Sequence, residues 1–149
     1  MNRAHDSGSI RSDSIRTEHA PAPVGAYPHA RRAGNLLFLS GVGPRDPATN
    51  SIIGNVYGSD GHLVSYDIDA QCRAVFANVR AILEASGAHW EDLVDVTVFL
   101  TDMAHDFATY NRVYAEYFTI VQPCRTTLGI TALPTPIAIE LKCIAVLTD

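Results

Sequence analysis

Cysteine, basic charge and long apolar runs are all scarce in this sequence, and each shortage removes a class of function. Three cysteines stand in 149 residues, Cys72, Cys124 and Cys143, with no C-x-x-C among them. An odd number, widely spaced inside apolar segments, does not form a disulfide framework; buried free thiols of a reducing compartment are the expected state. The histidines at positions 5, 19, 29, 62, 89 and 105 show no ligand-like spacing, so no metal site is expected. Lysine and arginine together number 11 against 16 acidic residues, a net charge of −5. The most basic pieces, RAHDSGSIRSDSIR and HARRAG, are diluted by acids or short, so no stripe tracks phosphates and no nucleic-acid partner is expected. No apolar run is long enough to cross a bilayer, and the N-terminus has no apolar leader core. A cytoplasmic protein with no membrane partner is the expectation.

What is present suits one domain with one sizeable core. Residues 1–20 are polar and cannot repay the entropy of ordering, so a flexible tail is expected there, with the domain over 21–149. AYPHARRAG and NLLFLSGVG predict two strands joined by a turn at Gly34-Asn35. Residues 43–66 are rich in Gly, Pro, Asn, Asp and Ser and predict a long loop, the kind that is often functional. Ile68, Cys72, Val75, Phe76, Val79, Ile82 and Leu83 fall on one face of a helix, which Ser65 or Asp67 caps and Gly87 follows. LVDVTVFLTD alternates and predicts a strand. Asp106 is expected to open a second helix, with Phe107, Tyr110, Val113, Tyr114, Tyr117 and Phe118 on its apolar side. RTTLGIT and IAIELKCIAVL predict the last two strands.

The expected order is β-β-α-β-α-β-β, an α+β two-layer domain with both helices on one face of a mixed sheet. The other face would lie open in a monomer. With Ile144, Val146, Val96 and Val98 expected there, an oligomer is needed to cover it.

Two charged residues stand in segments otherwise built for burial. In strand register, Arg125, Thr127, Gly129 and Thr131 share a face. A guanidinium beside threonine hydroxyls and a glycine suits a carboxylate, because its fork offers two parallel N–H bonds; an ion pair with Glu140 is the plainer account. Glu140 shares a face with Ala138, Lys142 and Ile144. Partly buried, its carboxyl would titrate high and serve as a base; a salt bridge to Lys142 is the alternative. Gly41 and Gly43 follow a strand and either let a ligand approach the backbone or make a turn. Tyr27 and His29 in AYPHA either line a cleft or are ordinary strand residues. Asn111, inside an aromatic helix, points to solvent or to a ligand. No nucleophile-elbow, kinase or phosphate-loop motif is present.

Taken together, AP-x-x-x-GAY, LFLSGVGP, AQCRAVFANVRAILEASGA, VTVFLTDM, DFATYNRVYAEYF, PCRTTLGITALP and IELKCIAV, in this order, resemble the Rid family of reactive-intermediate deaminases, also called the RidA or YjgF family. The resemblance covers roughly residues 20–148. It implies a chorismate-mutase-like fold, a homotrimer whose sheets form a central barrel, and active sites in the clefts between subunits. It implies that Arg125 binds the substrate carboxylate, that Glu140 positions water, that the Gly41 backbone faces the substrate, and that Tyr27 and Asn111 line the site. Many relatives carry cysteine where this chain has Thr127. VGAYPHARRAG, SGVGPRDP and TALPTPIAIELK resemble the 2-aminomuconate deaminase branch, which acts in the degradation of aromatic compounds.

The reaction implied is hydrolysis. A 2-amino-dienoic acid tautomerises to its imine, Arg125 holds the carboxylate, and water held by Glu140 attacks the imine carbon. An imine is already electrophilic, so no cofactor or metal is called for. Arg45, and after it His29, are the candidates for a second carboxylate of a muconate. The alternatives are a general 2-aminoacrylate deaminase and a non-catalytic carboxylate-binding trimer.

Overall fold

The computed structural model describes residues 12–148. Eight strands and two long helices follow in the order β1 (Ser12–Ile15), β2 (Ala30–Ala33), β3 (Leu36–Leu39), β4 (Val56–Tyr57), β5 (Leu63–Ser65), α1 (Ile68–Ala85), β6 (Leu93–Leu100), α2 (Met103–Tyr117), β7 (Cys124–Gly129) and β8 (Ile139–Val146), with one 3-10 turn at Trp90–Asp92 before β6. Six strands form one sheet in the order β1-β2-β3-β8-β6-β7. Its neighbours are antiparallel except β6 and β7, which run parallel because α2 carries the chain across between them. Both helices cover the same face, so the fold is the two-layer α+β arrangement expected, on a mixed sheet.

Local chemistry explains the helices. Asp67 caps α1 by accepting the Ala70 N–H at 3.1 Å, and Gly87, at φ +75°, turns the chain out after it. The apolar stripe of α1, from Ile68 through Leu83, is buried as its spacing requires. The second helix begins earlier than expected. Asp102 is its cap, accepting the His105 N–H at 3.0 Å, whereas Asp106 lies inside the helix and fully buried, accepting a hydrogen bond from the Tyr66 hydroxyl at 2.7 Å.

Three other expectations change. Residues 12–15 are not tail but the edge strand β1, paired with β2 from Ser12↔Ala33 to Ile15↔Ala30, and Ala20 is buried. Backbone hydrogen bonds and the packing of Ile15 on the core supply what side-chain composition lacked; residues 1–11 lie outside the described residues. The 43–66 loop contains the small hairpin β4–β5. Cys72 and Cys143 are buried, and burial pushes both thiols up to about 12, but Cys124 is exposed at the start of an edge strand.

The sheet register decides which residues face the helices. Val96, Val98 and Leu100 of β6 are fully buried and paired with Cys143, Leu141 and Ile139. Val96 and Val98 therefore lie under the helices and not on the open face, because alternation begins one residue away from the phase expected for β6. The open face carries Phe38, Phe99, Leu128 and Ile144, with Glu140 and Lys142 among them. No helix of the described residues is long and apolar enough to cross a membrane.

Candidate active site

The sequence-predicted residues collect in two places, on opposite faces of the sheet. The first centres on Glu140. Its carboxylate lies directly over Gly41: a Cβ at that glycine would overlap Oε1 and stand 2.8 Å from the carboxyl carbon. The two segments are held side by side by a pair of backbone hydrogen bonds, from the Val42 N–H to the Leu141 carbonyl at 2.8 Å and from the Leu141 N–H to the Val42 carbonyl at 3.0 Å. Among the described residues no ion pair or hydrogen bond reaches Glu140. Lys142, the alternative partner, donates instead to the Leu39 carbonyl at 2.9 Å. Burial alone raises the Glu140 carboxyl above the ordinary glutamate value of 4.5. An unpaired, partly buried carboxylate of this kind can hold and deprotonate water.

Tyr27, His29, Gly41 and Arg45 line one pocket beside this point, together with Pro21 and Ser40. His29 is buried and its ring is fully used. Nδ1 accepts the Thr17 N–H at 3.3 Å, which leaves Nε2 to donate to the Pro21 carbonyl at 2.9 Å. Arg45 is also tied down. One terminal nitrogen donates to Asn50 Oδ1 and the other to the Ala22 carbonyl at 2.6 Å. The loop that makes this possible turns at Asn50, whose φ is +62°. His29 and Arg45 thus shape the pocket wall as posts. Tyr27 is 37% exposed, and its hydroxyl accepts the Val24 N–H at 3.3 Å, which leaves its own proton available.

The second place centres on Arg125, on edge strand β7. It pairs in register with Val96, which puts it on the helix side of the sheet. There α2 provides a cradle. Arg125 Nη1 donates to Asn111 Oδ1 at 2.9 Å, and the guanidinium carbon stands 4.6 Å from the Tyr114 ring centroid and 5.4 Å from that of Tyr110. Thr127, two residues on, shares a 3.0 Å hydrogen bond with the Tyr110 hydroxyl. Arg125 remains exposed, and a guanidinium fork held in this way can meet a carboxylate from solvent. The Arg125–Glu140 ion pair considered from sequence does not form, because the two side chains leave the sheet in opposite directions.

Sequence reasoning missed four residues that build these half-sites. Tyr110 and Tyr114 read as core, and they are buried, but their faces also seat Arg125. Gln71 and Asn78 are buried polar residues on the apolar side of α1. The signal available was two amides, seven residues apart, interrupting that side.

Comparison with known proteins gives the chain a place. Residues 17–147 match the family described as Endoribonuclease L-PSP. A RutC family protein of Pyrococcus horikoshii is 44% identical over 131 residues, which is 88% of this chain and 94% of that protein. Reactive Intermediate Deaminase A, chloroplastic, of Arabidopsis thaliana is 40% identical over 139 residues, 93% of this chain and 68% of the relative. Among solved structures, E. coli TdcF with bound serine superposes with a TM-score of 0.78 at 33% identity, covering 91% of this chain and 99% of that one. RidA from the Antarctic bacterium Psychrobacter sp. gives 0.77 at 32%, with the same coverage. These relatives point to RidA-type chemistry on reactive intermediates, and the chain belongs to the Rid (RidA/YjgF) family.

Proposed function

We propose that this chain is a hydrolytic enamine/imine deaminase that needs no metal or cofactor and acts on a small 2-amino or 2-imino carboxylic acid. The observation that carries this reading is the pairing of two incomplete half-sites. One is a carboxylate with no protein partner among the described residues; the other is an exposed guanidinium seated on α2. In one copy they lie on opposite sheet faces, so they complete each other only across a contact between copies. The apolar open face calls for such a contact, and a homotrimer with interfacial sites meets both needs.

The chemistry follows from the groups. Arg125 of one copy grips the substrate carboxylate. Glu140 of the next holds water and takes one of its protons as the oxygen bonds to the imine carbon and the C=N pair moves to nitrogen. Glu140 gives that proton to the nitrogen, which leaves a carbinolamine. It then takes the hydroxyl proton as the C=O bond forms and passes it to the departing nitrogen, so imine plus water gives 2-oxo acid plus ammonia.

A dicarboxylic substrate, 2-aminomuconate, is the narrower reading. Arg45 lines the Gly41 pocket and favours it, but Arg45 would have to exchange Asn50 and the Ala22 carbonyl for substrate. The test is ammonia release from 2-aminoacrylate and from 2-aminomuconate, each generated in the assay, by wild type and Arg125→Ala. Arg125-dependent release from both, faster for aminoacrylate, supports the general deaminase. Fast release from the muconate alone supports the narrower reading and predicts that Arg45→Ala removes the preference. No acceleration with either leaves a carboxylate-binding protein without catalysis.

A further inference from the structure

The Glu140 half-site depends on contact between two segments about a hundred residues apart, and α1 reaches both. Asn78 Nδ2 donates to the Gly43 carbonyl at 2.9 Å and to the Arg45 carbonyl at 2.8 Å, on the segment that carries Gly41. Gln71, two turns earlier, accepts the Ala138 N–H on Oε1 at 2.9 Å, one residue before β8. Its Nε2 donates to Asn55 Oδ1 at 2.8 Å, and Asn55 Nδ2 donates in turn to the Pro136 carbonyl at 2.8 Å. Gln71 is wholly buried and Asn78 is 4% exposed. An amide is costly to bury unless hydrogen-bonded, and an apolar residue would fill either position without that cost. What these two amides obtain is backbone control. Next to their anchor points on each segment lies the two-bond bridge of Val42 and Leu141, and beside the bridge the Glu140 carboxylate rests on Gly41.

We propose that Asn78 and Gln71 are positioning residues, two buried amides of one helix that hold the Gly41 segment and the start of β8 in the register that seats the Glu140 carboxylate. Neither touches substrate; both act through the backbone under Glu140. The kinetic consequence rests on the deaminase reading, whereas the structural one does not.

The experiment is a carbon-detected NMR titration of the Glu140 side-chain carboxyl in wild type, Asn78→Ala and Gln71→Met, beside pH–rate profiles of ammonia release from 2-aminoacrylate. In the variants the segment loosens, the carboxylate becomes more exposed to bulk solvent, and its midpoint is expected to move down toward that of an ordinary glutamate. kcat is expected to fall roughly ten- to a hundredfold, with the acid limb of the profile moving alongside, while KM holds because Arg125 sits on the other sheet face. A Glu140 midpoint unchanged from wild type in the folded variants, with only thermal stability reduced, would overturn the proposal. Should Asn78→Ala not fold, Gln71→Met, close in shape and lacking the amide, decides alone. If wild type itself releases no ammonia, the deaminase reading fails, and the NMR titration still upholds or overturns the positioning role.

Discussion

The two half-sites solve opposite problems. Around Glu140 the protein withholds partners: Lys142, on the same sheet face, is drawn off to a carbonyl, and burial lifts the carboxyl. Around Arg125 it adds partners, an asparagine oxygen and two aromatic faces. On the proposed deaminase reading, a base that must keep its lone pair reactive is left alone, and a receptor that must present a charge at a fixed angle is clamped. The same sheet places an unpaired carboxylate and a clamped guanidinium by giving each a different face.

The largest effect is expected from removing the base. Glu140→Gln should lower kcat by roughly two to four powers of ten, with the oligomer intact by light scattering; turnover near wild type would take Glu140 out of the mechanism. Arg125→Ala, which removes a charge-assisted contact of about 2–4 kcal/mol, should lower kcat/KM by roughly two to three powers of ten. Mixing these two inactive variants sharpens the comparison. If the halves meet between copies, subunit exchange restores roughly a quarter of the wild-type sites; if both halves served one copy, mixing would restore nothing.

Smaller effects probe each half separately. Gly41→Ala should displace the Glu140 carboxylate and cost on the order of a hundredfold in kcat, measured beside a circular dichroism check of folding. On the other side, Tyr114→Leu removes an aromatic face under Arg125 and should raise KM by roughly five- to thirtyfold. Tyr114→Phe keeps the face and should match wild type in KM. It should also be no less stable, because the Tyr114 hydroxyl is buried with no hydrogen-bond partner among the described residues. An equal rise in KM for both variants would remove the stacking argument.

The smallest effect concerns pH. Burial favours the neutral form of Glu140, so its folded-state pKa lies above the unfolded one. The active carboxylate is lost as pH falls through that raised value, so the acid limb of kcat should sit above the ordinary glutamate range. Stability runs the other way: the benefit of the buried neutral form is present at low pH and lost as pH rises through the folded pKa. At neutral pH, Glu140→Gln should therefore melt slightly higher than wild type while turning over far less.

Much of this was legible in the chain itself. Periodicity placed α1 and the strands from β6 onward, and strand alternation put Arg125 and Thr127 on one face. Other features depended on partners that no local pattern names. β1 is polar, and it became a strand because β2 offered an edge. Val96 and Val98 alternate whichever way the strand is turned, and only pairing with β8 fixed the phase. Asp106 resembled a helix cap, yet Tyr66, forty residues away, drew it into the core.

By itself the sequence determined the identity of the chemical groups and the face each takes within its own strand, because side chains alternate with a period of two whatever the fold. Only the tertiary structure decided that Arg125 and Glu140 face away from each other, that the Glu140 carboxylate lies against Gly41, and that α2 clamps the guanidinium. Those are relations between strands and helices, set by register and by packing across the sheet, and no single segment carries them.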